Sequence, residues 1–252
     1  MRVELIAITP DAEKVIEEAG RTAYLSFDKQ TDFPILRLSA GTDRALVQTE
    51  EHPELRKSKV GDSVNYGGKI WKVEKRWENS AEKFIEMIIK SGHLSVLEHA
   101  CASFRIKGGS RSFTHQLVRH RMASYTQQSQ RYVDETNFNY VIPPSIESNP
   151  EAKKLFESFM EDVKKTYSEL RKMQIRKEDA RFVLPNAVVS EIVISANMRE
   201  WRHIIELRGE KRAQWEIRKM AVEVLKILKE KVPSVFFDFK IEGDYIIRVD
   251  KK

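Results

Sequence analysis

Apolar and polar positions alternate from Val3 to Thr9, with β-branched residues among them, and this period of two predicts an opening strand. Thr9-Pro10 then reads as a helix N-cap followed by proline at the first helical position. Ala12, Val15, Ile16 and Ala19 share one face of that helix, and Gly20 reads as its stop. From about residue 29 to 75 the helical period is lost. Within that stretch Lys59–Val73 carries Asn65-Tyr66-Gly67-Gly68 between strand-like runs, which predicts a β-ribbon. Asn79 with Glu82 marks a capping-box start to a helix whose apolar face is Phe84, Ile85, Ile88 and Ile89, ended by Gly92. Cys101–Ile106 reads as a strand broken by Gly108-Gly109, and residues 112–119 as a helix. After the extended run Tyr140–Ser145, Asn149-Pro150 opens a long helix with Leu155, Phe159, Val163 and Leu170 at helical spacing. Val188–Ile194 is strand-rich. Asn197 with Glu200 starts a helix that ends at Arg208-Gly209, and a further helix spans about 211–231, stopped by Pro233. The tail from Val235 to Val249 reads as two short strands around Glu242-Gly243-Asp244. No internal repeat, low-complexity tract or linker interrupts the pattern, so an α+β single domain with an insertion at about 30–75 is expected.

Composition narrows the class without naming it. With 252 residues, 41% hydrophobic content and four tryptophans, the chain can bury a substantial core. No apolar run approaches the roughly 20 residues that span a bilayer. The start MRVELIAITPDAEK lacks a long apolar stretch behind a basic end, so no cleaved signal is expected. One cysteine, Cys101, excludes an intrachain disulfide and fits a reducing compartment; its place in an alternating apolar strand predicts a small core residue. A soluble cytoplasmic protein is therefore expected. The formal net charge of +6 favours anionic partners, but both signs are interspersed and much of the excess reads as solvated surface.

Three constellations could carry chemistry. The densest is the run from Arg119 to Tyr132, with three arginines, a histidine and several amides among small and aromatic residues. Guanidiniums match phosphate oxygens, and amides donate and accept together at a base edge. On a helix, Gln116, Arg119 and His120 fall at i, i+3 and i+4 on one side, with Arg121 on another. The plainer reading is a solvated basic helix end, favoured by the macrodipole. In extended backbone Gln127, Ser129 and Arg131 would point one way, Ser129 and Arg131 toward a phosphate and Gln127 toward a base or sugar. A second group, His93, Ser95, Glu98 and His99, lacks the His-x3-His spacing and third ligand of zinc hydrolases, so structural or cofactor-contacting use is expected rather than a metal. The third places Asn197, Arg199, His203 and Arg208 on a helix whose apolar side is Trp201, Ile204, Ile205 and Leu207. Arg181, ahead of apolar residues, would need a partner if buried. No phosphate-loop or G-x-G-x-x-G pattern occurs.

Taken in order, these blocks resemble the flavin-dependent thymidylate synthases, the thymidylate synthase-complementing protein family. RHRMASYTQQSQRY is similar to that family's RHR-x7-S motif and its S-x-R-Y continuation. GHLSVLEH resembles its GH-x-S/T-x-x-E-H element, and ARFVLP its AR-x-x-LP element. NMREWRHIIELR resembles its spaced N-x-R…R helix, and AQWEIR the segment that follows. The blocks span about residues 80–220. The resemblance implies a central, mostly antiparallel sheet flanked by helices, and a homotetramer with active sites where subunits meet. It also implies reductive methylation of dUMP to dTMP, with FAD as cofactor and NADPH and 5,10-methylenetetrahydrofolate as co-substrates, and neither nucleic acid nor membrane as partner. By the same resemblance Ser95, Arg119, His120, Arg121, Met122, Gln127, Asn197, Arg199 and His203 would contact FAD. Gln116, Arg119, Gln127, Gln128, Ser129, Gln130, Arg131, Arg181 and Arg208 would surround dUMP. Arg208 would be the activating residue, and His93 would gate the folate or flavin pocket. Thr126 stands where Asn is common in the family, Gln127 where some members carry Glu, and Arg212 where some carry His.

Two other readings of the same residues lead elsewhere. Basic character with Tyr125, Tyr132 and Tyr140 would suit a single-strand nucleic-acid-binding module. His93, Glu98, His99 and His120 would serve a metal-assisted hydrolase if they converged.

Overall fold

The computed structural model describes residues 1–249. In chain order its regular elements are β1 (Arg2–Ile8), α1 (Ala12–Thr22), β2 (Ile35–Ala40), β3 (Asp43–Gln48), β4 (Ser63–Tyr66), β5 (Lys69–Trp77), α2 (Ser80–Lys90), β6 (Cys101–Ser110), α3 (Arg111–Leu117), β7 (Ser124–Gln127), α4 (Pro144–Glu147), α5 (Pro150–Lys172), α6 (Lys177–Ala180), β8 (Val189–Asn197), α7 (Met198–Gly209), α8 (Trp215–Lys231), β9 (Phe239–Glu242) and β10 (Tyr245–Arg248). The central sheet has the order β1-β6-β8-β7 with every pair antiparallel, as the α+β reading expects. Along β8 burial alternates: Ser190, Ile192, Ile194 and Ala196 face inward, and Ile194 lies opposite Phe104 of β6. α7 and α8 pack into the same core. Trp201 meets Phe104 edge-on at 5.0 Å, and its indole N–H donates to the Ala102 carbonyl at 3.0 Å. That bond satisfies the polar atom of a fully buried ring.

Helix starts follow the capping residues the sequence offers. The side chains of Asn79, Asn149 and Asn197 accept from Glu82, from Glu151 and Ala152, and from Glu200 N–H groups, respectively. Ser110 and Gln214, not anticipated as caps, do the same for α3 and α8. Residues 35–77 form a second sheet, order β3-β2-β5-β4, over a core of its own made of Leu36, Leu38, Val47, Leu55, Val64 and Val73. The expected β-ribbon is its β4–β5 hairpin. The β2–β3 hairpin, turning at Gly41 and Thr42, went unrecognised although the alternating Leu36, Leu38 and the glycine announce it.

Other local expectations are corrected. Thr9 does not cap α1: its hydroxyl accepts from the Cys101 N–H at 2.9 Å, and Asp11, in left-handed backbone, precedes the helix. Gly20 does not stop α1, which continues to Thr22; a Cβ there would lie 2.4 Å from the Phe84 ring, so glycine permits a close helix–helix approach. Gly108-Gly109 forms a bulge within β6 rather than its end. Cys101 is exposed, because the inward parity of β6 falls on Ala102, Phe104 and Ile106. On α5 the buried positions are Met160, Val163 and Tyr167, whereas Leu155 is 74% and Phe159 54% exposed.

Candidate functional site

The end of α3 and the inner face of α7 meet at His120. α3 closes at Leu117, so the helical argument that put Gln116, Arg119 and His120 on one side does not hold. The chain turns, leaving Arg119, Arg121 and Met122 exposed while His120 is buried. Arg208 Nε donates to His120 Nε2 at 2.9 Å, and His120 Nδ1 lies 3.4 Å from a Glu200 carboxylate oxygen. A ring that accepts at Nε2 carries its proton on Nδ1, so this geometry selects one tautomer and aims its N–H at Glu200. Burial, then the charges of Arg208 and His203, hold the imidazole pKa down at about 4, so the ring is neutral at neutral pH. Burial raises the Glu200 carboxyl above its ordinary range. His203 meets the His120 ring edge-on at 5.5 Å. The Tyr125 hydroxyl lies 2.8 and 3.0 Å from the Leu117 and His120 carbonyls, its one proton shared between them. It thereby pins β7 against the turn.

The rest of the signature run is distributed differently from the extended-strand expectation. β7 ends at Gln127, and the chain turns at Ser129, whose carbonyl accepts from the Tyr132 and Val133 N–H groups. Gln127, Ser129 and Arg131 therefore do not alternate along one strand face. The Gln127 amide donates to the Thr114 and Ser190 hydroxyls, both at 3.0 Å, leaving its carbonyl oxygen uncommitted. Gln128 donates to Glu135 at 3.0 Å; burial raises the pKa of that carboxyl. Gln116 and Gln130 are half-buried. Arg131 contacts the Glu178 carboxylate at 3.3 Å, and Arg181 donates to the Glu178 carbonyl at 3.1 Å, so one residue gathers both arginines.

A cavity of about 520 Å³ opens at the start of α7, lined by Met122, Asn197, Arg199 and His203 together with Glu98, Glu200 and Arg248. Asn197 spends its carbonyl oxygen on the α7 cap, and Arg199 pairs with Glu98 at 2.6 Å. His93 and Ser95 line a different, larger cavity between α1, α2 and the second sheet. Thus His120, His203 and Arg208 come together, Asn197, Arg199 and Met122 join them through the smaller cavity, and His93 and Ser95 stand on the other. Among the described residues no three His, Cys, Asp or Glu side chains form a metal-binding group. Glu200 is not among the expected site residues, and Tyr125 is expected only in the nucleic-acid reading. Glu200 read only as a cap partner, although a carboxylate one helical turn from His203 and two from Arg208 was a usable signal.

Comparison with known proteins places the chain in a family. The family model described as thymidylate synthase complementing protein matches residues 4–234, and the chain belongs to that family. It is similar to the flavin-dependent thymidylate synthase of Geobacter sulfurreducens, 38% identical over 240 residues, which cover 94% of this chain and 86% of that protein. The enzyme of the same name from Nitratidesulfovibrio vulgaris is 48% identical over 161 residues, 61% of this chain and 66% of the relative. That from Thermococcus onnurineus is 45% identical over 163 residues, 62% of this chain and 66% of the relative. In the last two the matched part spans just under two thirds of the relative's length.

Proposed function

We propose that this chain is a flavin-dependent thymidylate synthase that converts dUMP to dTMP, taking one carbon from 5,10-methylenetetrahydrofolate and reducing equivalents from NADPH. Residues 1–252 are read as one synthase domain with the 30–75 segment as an insertion. The observation that carries the reading is the Arg208–His120–Glu200 chain inside the family match. It offers an oriented guanidinium in a partly water-excluded site.

The residues present fit FAD. Arg119 and Arg121 are exposed cations on the same turn as Met122, which lines the cavity with Arg199 and His203; the cations suit a diphosphate, and Met122 offers an apolar surface to a flat ring. Arg119, His120, Arg121, Met122, Gln127, Asn197, Arg199, His203 and, from the neighbouring cavity, Ser95 would hold it. Bound FAD would supply the two-electron exchange with the nicotinamide and with the transferred carbon. The chain's own part is to bind and polarise dUMP. Gln116, Arg119, Gln127, Gln128, Ser129, Gln130, Arg131 and Arg181 would bind it, the arginines at the phosphate. Arg208 would stabilise negative charge developing on the uracil carbonyl and N3, and neutral His120 would hold the guanidinium in place without adding a like charge. Ser129 binds rather than attacks: its hydroxyl accepts from the Arg131 N–H, and among the described residues no acid or imidazole hydrogen-bonds it. His93 would gate the larger cavity. The exposed arginines of the signature run fit a site completed by a neighbouring subunit of a cytoplasmic homotetramer. No helix among the described residues is long and apolar enough to cross a membrane.

The test is spectroscopic. Protein supplied with FAD should show bound-flavin absorbance that NADPH bleaches anaerobically, at a rate changed by dUMP, and should form dTMP when methylenetetrahydrofolate is added. Failure to bind flavin under all conditions overturns the proposal and favours the nucleic-acid-binding alternative, which salt-dependent binding to single strands would then support.

A further inference from the structure

A cavity of about 1080 Å³ lies between α1, α2, the second sheet and the segment carrying His93 and Ser95. One wall is apolar: Ile35 and Leu46 come from the second sheet, and Phe84, Met87 and Ile88 from α2. Leu46 and Met87 are 50% and 54% exposed, large apolar side chains left uncovered in a concave place. Tyr24, also on the lining, adds an exposed aromatic ring.

The same cavity has a cationic side. Lys29 and Lys83 line it, and Arg37 stands close to Lys83; both Arg37 and Lys83 lie over the Trp77 ring, at 5.3 and 5.9 Å. None of these three has a carboxylate partner among the described residues. Two carboxylates of α1 and α2 are already committed. Glu17 takes Arg21 at 2.6 Å, and Glu86 takes Lys75, Lys90 and the Trp77 indole N–H. Burial and the neighbouring charges of Arg21, Arg37 and Lys29 depress the Lys83 ammonium. Lys83 is half-buried while Lys29 and Arg37 are exposed, and cations gathered without a carboxylate on any of them are an unfilled electrostatic demand. A purely apolar void is thereby excluded, because such voids lack charged walls.

We infer that this cavity is a binding site for an anionic group attached to a flat apolar ring system, with Lys83 and Lys29 holding the anion and the Leu46, Phe84 and Met87 wall covering the ring. The inference rests on the synthase reading for its two sources of such chemistry. One is the aromatic amide and glutamate carboxylates of the folate, the other the ring and 2′-phosphate of the nicotinamide dinucleotide. Because His93 and Ser95 line the same space, a ligand seated there reaches the segment expected to gate the flavin. Leu46, Ile35 and Gln48 of the lining belong to the second sheet, so the insertion gains a role: it forms one wall of a co-substrate site.

Calorimetric titration of the FAD-loaded protein tests this, using 5-methyltetrahydrofolate with one or three glutamates, and NADP+ against NAD+. The wild type is expected to prefer the more anionic member of one pair. Lys83→Met should weaken that member about tenfold, the size of one half-desolvated ion pair, and Lys83→Arg should restore it. Retained flavin absorbance shows that the variants fold. A loss confined to the triglutamate assigns the folate tail, and one confined to NADP+ assigns the 2′-phosphate. Equal affinities within both pairs, unchanged in Lys83→Met, overturn the site. Assaying dTMP on the same samples keeps the two proposals apart. Turnover without charge-dependent binding sinks only the cavity assignment, and charge-dependent binding without turnover sinks only the synthase reading.

Discussion

At the residue scale the decisive group is His120, because its buried neutral state lets Arg208 be anchored by an acceptor. Replacing it with Phe keeps a ring in the space but leaves Arg208 Nε without that partner. The expected outcome is a fall in turnover of about tenfold or more with FAD still bound, measured as dTMP formed per flavin. Arg208→Ala should go further, losing about a hundredfold or more in dTMP formation while flavin and fold remain, the scale of removing one donor to a developing oxyanion. Near-normal turnover would refute the activating role. His120 also leaves a pH signature. Its folded pKa is about 4 against an ordinary 6.5, so the unfolded chain takes up a proton first as pH falls. Its contribution is present above pH 6.5 and is lost between there and about 4, at up to about 1.4 kcal/mol per pH unit. The raised carboxyls Glu13, Glu135 and Glu200 work in the opposite direction in an overlapping range. The test is therefore the difference between wild-type and His120→Phe melting curves, which should shrink as pH drops through that window. Candidate site residues were legible where the run of types was dense, as at Arg119–Tyr132. Partners contributed from distant positions were not. Nothing near His120 in sequence announces Glu200 or Arg208 as its neighbours, and Glu178, which gathers Arg131 and Arg181, has no local signal at all.

At the element scale, what could be read was what local chemistry dictates. Asn79, Asn149 and Asn197 cap their helices because a short side-chain acceptor before an apolar run satisfies free N–H groups wherever the helix then packs. What could not be read depended on the neighbour. Gly20 looks like a stop, yet it lies inside α1 because Phe84 occupies the space a Cβ would need. Alanine is the better helix former by about 1 kcal/mol, so intrinsic propensity alone says Gly20→Ala should stabilise. The clash says otherwise: Phe84 is almost fully buried with the Arg21 guanidinium 5.1 Å from its ring centre, leaving it little room to swing away. Overpacking typically costs about 1–3 kcal/mol, so Gly20→Ala is expected to lower the urea midpoint, and an unchanged or higher midpoint would show that α1 and α2 can slide apart. A comparable dependence on distant residues holds the C-terminal hairpin. Arg202 forks onto both Asp238 oxygens at 2.7 and 2.6 Å, and Arg248 reaches the same carboxylate at 3.1 Å. Asp238→Asn leaves a buried guanidinium without its counter-charge, so a loss of about 3–5 kcal/mol is expected in the same titration.

At the scale of the whole molecule, the chain leaves a set of large apolar side chains uncovered. Phe182 is 83% exposed, and Met122, Tyr132 and Leu155 are each 74% exposed. Met122 and Tyr132 lie within the signature run, and Leu155 and Phe182 follow it along the chain. The α5 pattern makes the same point. Leu155 and Phe159 share the helical spacing of Val163, but Phe138, Met160, Val163 and Val188 already fill the small core beneath the helix. Apolar periodicity there marks two faces, one covered by this chain and one left exposed, although the sequence pattern reads as a single buried stripe. If subunits of a tetramer cover that second face and complete the site, the two losses are coupled. Leu155→Asp combined with Phe159→Asp should convert the tetramer to smaller species in light-scattering chromatography and weaken FAD binding in the same preparation, although neither residue lines the α7 cavity. A variant that stays tetrameric would show that α5 faces solvent. One that dissociates yet holds FAD as tightly as the wild type would show that each chain builds its flavin site alone.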